Sequence, residues 1–394
     1  MRILTFTTLY PNAAQPHHGV FVENRLRHLL ATGDIGARVV APVPWFPFAS
    51  PRFGAYGAFA RAPKAETRHG IAVDHPRFAT IPRIGMTAAP YLLYLGARPT
   101  LARLRAAGFD FDLIDAHYFY PDGVAAALLG RYFDRPVTIT GRGTDLNLIP
   151  RHALPRRMIR WAAGRAAGMI TVAAALKDAL VDLGVPEARV RVLRNGVDLD
   201  LFRPPADRDA ARGALALTRR TLVSVGHLID RKGHDLVIAA LPALPDTDLL
   251  IVGEGPERAA LEALAARLGV GARVRFLGRR PHEDLPAIYG AADALVLASS
   301  REGWANVLLE AMACGTPVVA TALWGTPEVV AAPEAGRLMR DRSAEALAEA
   351  AQALFAAPPE RAATRAYAEG FGWAPTVAGL RDLFTEIVET RGRS

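Results

Sequence analysis

Short apolar, β-rich runs at 2–7, 37–41, 113–115 and 137–140 alternate with polar and helical stretches, the first of them a helix over 20–30. The same rhythm restarts at 221–225 and continues through 248–252, 274–277, 294–297 and 317–320. Helical segments at 256–268 and 308–313 lie between those runs. Strands alternating with helices imply a parallel sheet covered on both faces. The chain thus reads as two α/β halves that meet near 195–205. Ligands of such sheets bind beyond the carboxyl ends of the strands, so two facing sheets make a cleft suited to a two-substrate enzyme.

Length agrees with this division, since 394 residues exceed what one hydrophobic core usually serves. The lone cysteine, Cys314, excludes an internal disulfide and a cysteine-based metal site, and it sits in an apolar stretch as a small buried residue. No apolar run reaches the ~18 to 20 residues needed to span a bilayer, and the start is too threonine-rich for a signal peptide. The expected location is cytoplasmic, or peripheral on the inner face of the membrane. A net charge of +8 suggests a polyanionic partner, whether nucleic acid, an anionic membrane surface or a diphosphate-bearing substrate. High arginine content also accompanies GC-rich coding, which is a neutral reading of the same charge.

Six segments carry candidate chemistry. In the second half, SSREGWANVLLE at 299–310 follows a strand, crosses a polar loop and enters a helix near Asn306. Backbone N–H groups at a helix start attract anions, and carboxylates such as Glu302 and Glu310 accept strong hydrogen bonds from sugar hydroxyls. The plainer reading makes Glu302 a helix-capping acid and Glu310 a solvated helix face. VGHLIDRKG at 225–233 is a glycine turn followed by cations, suited to a diphosphate leaving group or equally to an ordinary basic turn. In the first half, YPNAAQPHHGVFVE at 10–23 leaves the first strand, and IDAHYFYP at 114–121 ends a strand with His117. ITGRGTDLN at 139–147 adds Arg142 and Asp145. A guanidinium there can meet an acceptor phosphate or acidic sugar bidentately, and Asp145 can orient Arg142 or accept from an acceptor hydroxyl. The basic stretch 154–165, with Met158, Ile159 and Trp161 interleaved, reads either as a helix lying on anionic lipid or as a core helix with a charged outer face.

Taken together, these strings resemble the family 4 retaining glycosyltransferases, group 1, of GT-B architecture, over nearly the whole chain. The string at 299–319 carries the donor motif: two glutamates around a Gly-aromatic loop, then a Gly-Thr-Pro-Val-Val run. The resemblance implies that Glu302 contacts the donor sugar and Glu310 the ribose, with Gly303, Trp304, Ala305, Asn306 and Val307 approaching sugar and diphosphate. It places Gly19 beside the donor phosphates, His117 near the reacting centre and Lys232 on the diphosphate. His227 stands where the family has arginine, and Arg231 is the candidate replacement cation. Arg142 stands where the family has histidine. The implied domains are 1–197 with a helix returning over 375–394, binding the acceptor, and 198–374, binding the donor.

The function so implied is transfer of a sugar, with retention, from a nucleotide-diphosphate sugar to a glycan or lipid-linked acceptor in cell-surface polysaccharide synthesis. No cofactor or metal is expected, and no nucleic acid partner. Asp-x-Asp pairs occur at 110–112, 198–200 and 246–248, all outside the donor motifs. One rival is a sugar-nucleotide epimerase or hydrolase of the same plan, which needs further acid/base groups that the strings lack. Another is a non-catalytic polyanion-binding protein, which leaves the glutamate motif unexplained. A nicotinamide-dependent dehydrogenase is disfavoured because no Gly-x-Gly-x-x-Gly follows the first strand.

Overall fold

A computed structural model describes residues 1–80 and 85–392. They fall into two compact units: Met1–Asn195 together with the tail from Ala374, and Gly196–Trp373.

The first unit contains β1 (Arg2–Phe6), β2 (Gly36–Val40), β3 (Val43–Pro44), β4 (Ala65–Arg68), β5 (Ile71–Asp74) and β6 (Arg77–Phe78). It continues with β7 (Leu113–His117), β8 (Val137–Gly141), β9 (Gly168–Thr171) and β10 (Val190–Val192). Eight of these make one sheet in the order β10-β9-β8-β7-β1-β2-β5-β4, with β3 and β6 forming a separate ribbon. Every pair in the large sheet is parallel except β4–β5. Ile3, Leu4 and Phe6 of the central β1 are fully buried, as a strand covered on both faces requires. The helix Val20–Leu30 lays Val22, Leu26 and Leu29, spaced three and four apart, into a core with Ile3, Val39 and Leu113. The returning helix Ala374–Gly392 adds Leu380, Leu383 and Phe384 to that core.

The β4–β5 hairpin is absent from the sequence reading. Its strand β4 is the polar edge segment AETR, and its turn is His69-Gly70, both at positive φ (47° and 78°). A two-residue turn with both positions at positive φ matches the twist of an antiparallel pair.

The second unit contains β11 (Arg220–Val225), β12 (Thr247–Val252), β13 (Val274–Gly278), β14 (Ala294–Leu297), β15 (Val318–Thr321) and β16 (Gly336–Met339). All pairs are parallel, in the order β13-β12-β11-β14-β15-β16. In each sheet the strand order reverses once, between β1 and β7 in the first and between β11 and β14 in the second. Loops leaving the carboxyl ends of neighbouring strands at such a point diverge and leave a crevice for a ligand.

Candidate functional site

In the second unit, the two candidate strings leave the two strands that flank the reversal. β11 ends in Gly226, His227 and the short turn Asp230–Lys232, and β14 ends in the loop that carries Glu302. Gly233, at φ 71°, allows the two loops to touch: a Cβ there would lie 2.2 Å from the Ala298 carbonyl oxygen. Ser300 N–H donates to the Arg231 carbonyl at 2.8 Å, and Arg342 donates to the carbonyls of Ala298 (2.9 Å) and Asp230 (3.2 Å). The backbone of the two loops is thus tied together by the Ser300 N–H and the Arg342 guanidinium.

Within that frame, Lys232 Nζ donates to Glu302 Oε1 at 2.7 Å. Arg231 Nη1 lies 3.9 Å from Glu302 Oε2 and donates to the Arg301 carbonyl at 2.9 Å. The side chains of Lys232 and Glu302 keep 16% and 12% of their surface exposed, and Arg231 keeps 33%, so water reaches all three. His227 is exposed, and its carbonyl accepts the Ile229 N–H at 2.9 Å. Of the two candidate cations here, Arg231 is the one that lies beside Glu302.

Gly303, Trp304 and Ala305 are buried, while Asn306 and Val307 are half-buried in the first turn of the helix Asn306–Ala313. Trp304 is buried and packs its ring against Phe371 at 6.2 Å. One turn along the helix, Glu310 accepts from Tyr289 Oη at 3.0 Å and from His282 Nε2 at 3.3 Å. Burial and the adjacent Glu310 carboxylate push the Tyr289 phenol well above its ordinary pKa, so it stays a donor. Neither Tyr289 nor His282 was singled out from the sequence. They lie 21 and 28 residues upstream of Glu310, and no local spacing links them to it.

In the first unit, the β1–β7 reversal carries the other candidates, and here burial is complete. Gly19, at φ 73°, starts the helix Val20–Leu30, where a Cβ would lie 2.3 Å from the Leu9 carbonyl, so only glycine closes this loop. His117 ends β7 with 2% of its surface exposed. Arg142 Nη2 donates to His117 Nδ1 at 2.7 Å, so the ring proton sits on Nε2, which faces Asp115 Oδ2 at 3.2 Å. Burial, reinforced by Arg142 and opposed by Asp115, lowers the His117 pKa to about 4. The imidazole is neutral at physiological pH, with both nitrogens engaged by protein.

Arg142 also donates to Asn195 Oδ1 at 2.9 Å and covers the Phe21 ring at 5.3 Å. Burial and the nearby Arg25 hold its pKa well below the ordinary arginine value. Asp145 is wholly buried and accepts three backbone N–H groups: Gly143 and Phe119 at 2.7 Å, and Arg142 at 3.1 Å. It therefore shapes the ends of β7 and β8 and orients the Arg142 backbone. A parallel acid, Asp122, accepts from Thr8 N–H at 2.6 Å and from both threonine hydroxyls of the β1 loop. Burial raises its pKa to about 7.

The sequence reading also passed over Arg25. It lies in the core-facing register of the helix between Val22 and Leu26, 2% exposed, and its guanidinium nitrogens have no hydrogen-bond partner among the described residues. Its nearest compensation is the Asp115 carboxylate, and burial lowers its pKa to about 10. Among the described residues no group of three or more His, Cys, Asp or Glu is placed to hold a metal ion. No helix among them is long and apolar enough to cross a membrane.

Two doubly wound sheets, one with cations and carboxylates gathered at its strand reversal, define a two-domain α/β protein. The particular family is shown by comparison with known proteins. The family model described as glycosyl transferases group 1 matches residues 206–371, and that of glycosyltransferase family 4 matches residues 20–201. D-inositol 3-phosphate glycosyltransferase 1 of Catenulispora acidiphila is 32% identical over 432 aligned positions, covering 100% of this chain and 97% of that one. The D-inositol 3-phosphate glycosyltransferase of Mycobacterium tuberculosis is 38% identical over 211 positions, which is 50% of this chain and 44% of that one. Among solved structures, sucrose-phosphate synthase of Thermosynechococcus elongatus superposes with a TM-score of 0.79 at 23% identity, covering 99% of both chains. HepE of Anabaena, solved with UDP, superposes at 0.75 with 24% identity, covering 98% of this chain and 100% of that one. This chain belongs to the group 1, family 4 glycosyltransferases and is a glycosyltransferase of GT-B fold.

Proposed function

We propose that this enzyme takes a nucleotide-diphosphate sugar as donor and transfers the sugar, with retention and without a metal, to a glycan or lipid-linked acceptor of the cell surface. The observation that carries the reading is the Lys232–Glu302 contact at the β11–β14 reversal, with Glu310 one helix turn further on. Lys232 and Arg231 are the groups that would meet the diphosphate, and the first turn of the helix at Asn306 adds its N–H groups. Glu302, freed from part of its contact with Lys232, would accept from donor-sugar hydroxyls. Glu310, steadied by Tyr289 and His282, would accept from the ribose. The anomeric C–O bond breaks toward the diphosphate, whose developing negative charge those cations stabilise. The acceptor hydroxyl attacks the same face and gives its proton to the departing phosphate oxygen, which accounts for retention without a protein nucleophile. HepE structures solved with UDP and UDP-glucose support a nucleotide-sugar donor on this fold.

A second acceptor reading, D-inositol 3-phosphate, is favoured by the relative that aligns along the whole chain. One experiment separates the two. Purified protein is given UDP-, GDP- and ADP-sugars in EDTA, with either D-inositol 3-phosphate or a lipid extract, and nucleoside diphosphate release is measured. Release with one donor, abolished by Lys232→Ala and Glu310→Ala, supports the donor site. The acceptor that stimulates release decides between the readings, and proton NMR of the product reads its anomeric configuration. Absence of release under every condition would remove the donor assignment.

A further inference from the structure

The first unit carries a corner whose chemistry neither candidate site uses. Trp45, Phe48 and Tyr56 stand 58%, 56% and 44% exposed between β3 and the end of the helix Gly54–Arg61. Phe46 packs on Phe48, Phe53 and Tyr56 at centroid distances of 6.0, 5.4 and 5.2 Å, which holds the exposed Phe48 and Tyr56 rings in one cluster, and Trp45 precedes Phe46 in the chain. β3 pairs with β6, and Trp45 N–H donates to the Phe78 carbonyl at 2.8 Å. Against β6 lies the helix Ala89–Ala106, so close that a Cβ on Gly96 would come within 2.8 Å of Phe78 Cβ. That helix exposes Tyr91 and Leu95. One small ribbon therefore supports exposed apolar side chains from the segments packed on each of its strands. Single exposed apolar residues need no explanation, but a supported cluster does.

Charge points to what covers it. Residues 41–109 hold nine Lys and Arg against two acids, Glu66 and Asp74. Both acids are already paired, Glu66 with His75 at 2.9 Å and Asp74 with Arg103 at 2.6 Å, and two further cations pair with acids outside this stretch, Arg68 with Glu23 at 2.7 Å and Arg105 with Asp110 at 3.0 Å. Arg52 lies 4.8 Å above the Phe53 ring, and Arg61 and Lys64 follow on the exposed side of the same segment. By sequence the first unit carries 28 Lys and Arg against 16 Asp and Glu, while Gly196–Trp373 carries 19 against 23. The excess positive charge of the chain thus belongs to the unit with the exposed rings, not to the unit with the candidate diphosphate site. A second copy of the chain would bring the same cations against these. An anionic lipid surface complements both features, because rings enter the headgroup boundary and cations meet its negative potential.

We infer that the 45–64 segment, with the exposed side of the helix Ala89–Ala106, docks on anionic membrane lipid. The inference deepens the lipid-linked acceptor reading, and its test reads binding without turnover, so failure of docking and failure of transfer are separately visible. The full chain is sedimented with vesicles of phosphatidylcholine, alone or mixed with phosphatidylglycerol, at low and raised salt. Binding is expected to the mixed vesicles and to weaken with salt. The double variant Trp45→Ser/Phe48→Ser should lower the partition at least about tenfold. Arg52→Glu/Lys64→Glu should also lower it, by about fivefold or more for each cation lost. Thermal midpoints should not move, since all four side chains lie on the surface. Equal binding to both vesicle types, or unchanged binding in both double variants, would overturn the proposal. So would a dimer in sedimentation velocity that Trp45→Ser/Phe48→Ser dissociates without affecting vesicle binding.

Discussion

The two strand reversals hold similar residue types in opposite states. Around β11 and β14, Lys232, Arg231, Glu302 and Glu310 sit on loops and a helix start that water reaches, each with an internal partner. Around β1 and β7, Arg142, His117, Asp145 and Asp122 are buried, and their hydrogen bonds run to protein. Lys232 and Glu302 both keep a path to water, so a phosphate entering there can take over the Lys232 contact without leaving either charge sealed in the core. A buried carboxylate that satisfies three N–H groups cannot be exchanged so cheaply. The first cluster is open to a change of partners, and the second holds backbone in place.

Breaking each cluster should give different kinds of failure. The largest effect is expected from Lys232→Ala, which should lower the transfer rate on the order of 10² to 10³-fold while leaving thermal unfolding nearly unchanged. Asp145→Ala should act the other way. It strands three buried N–H groups at about 1 to 3 kcal/mol each before relaxation, so the melting temperature should fall, while calorimetric nucleotide binding of the surviving folded fraction persists. A Lys232→Ala protein that melts early, or an Asp145→Ala protein that melts normally, would erase the distinction.

Smaller changes sharpen it. Glu310→Gln weakens an acceptor held by Tyr289 and His282, and nucleotide affinity should fall about tenfold by calorimetry. Arg231→Ala should cost more activity than His227→Ala, since only Arg231 reaches Glu302; the reverse ranking would restore His227 to the site. The smallest effect concerns protons. The folded-state pKa of His117, about 4, lies below its ordinary 6.5, so the unfolded chain takes up that proton first. Its contribution to stability is complete above pH 6.5 and is lost as pH falls toward 4. Asp122 acts in the opposite sense, because its pKa is raised from 3.8 to about 7 and its contribution is lost as pH rises through 7. In NMR, the His117 ring resonances should stay at their neutral position from pH 8 to 5.

The alternation of the chain, the strands β1, β7, β8 and β11–β15, and the helix Val20–Leu30 were legible because apolar runs and helical spacing are local properties. The strands β9, β10 and β16, three or four residues each, and the polar edge strand β4 were not, since so short a segment is decided by its neighbours. The candidate donor residues were likewise visible only as strings of types. The string could not show that Lys232 and Glu302, 70 residues apart, meet at 2.7 Å. That contact follows from β11 and β14 lying side by side, which is a matter of sheet order.

Arg142 and Asp145 make the same point from the other direction. Their types suggested an acceptor contact, and burial assigned their hydrogen bonds to His117, Asn195 and the backbone. Arg25 escaped notice altogether, because a charge in an apolar register reads as an interruption until the surrounding core is known. Periodicity, turn chemistry and motif types are written along the chain and determined the fold class and the candidate donor string. Which charges meet, and which of them water can reach, depends on strand order and burial, and those exist only once the chain has closed on itself.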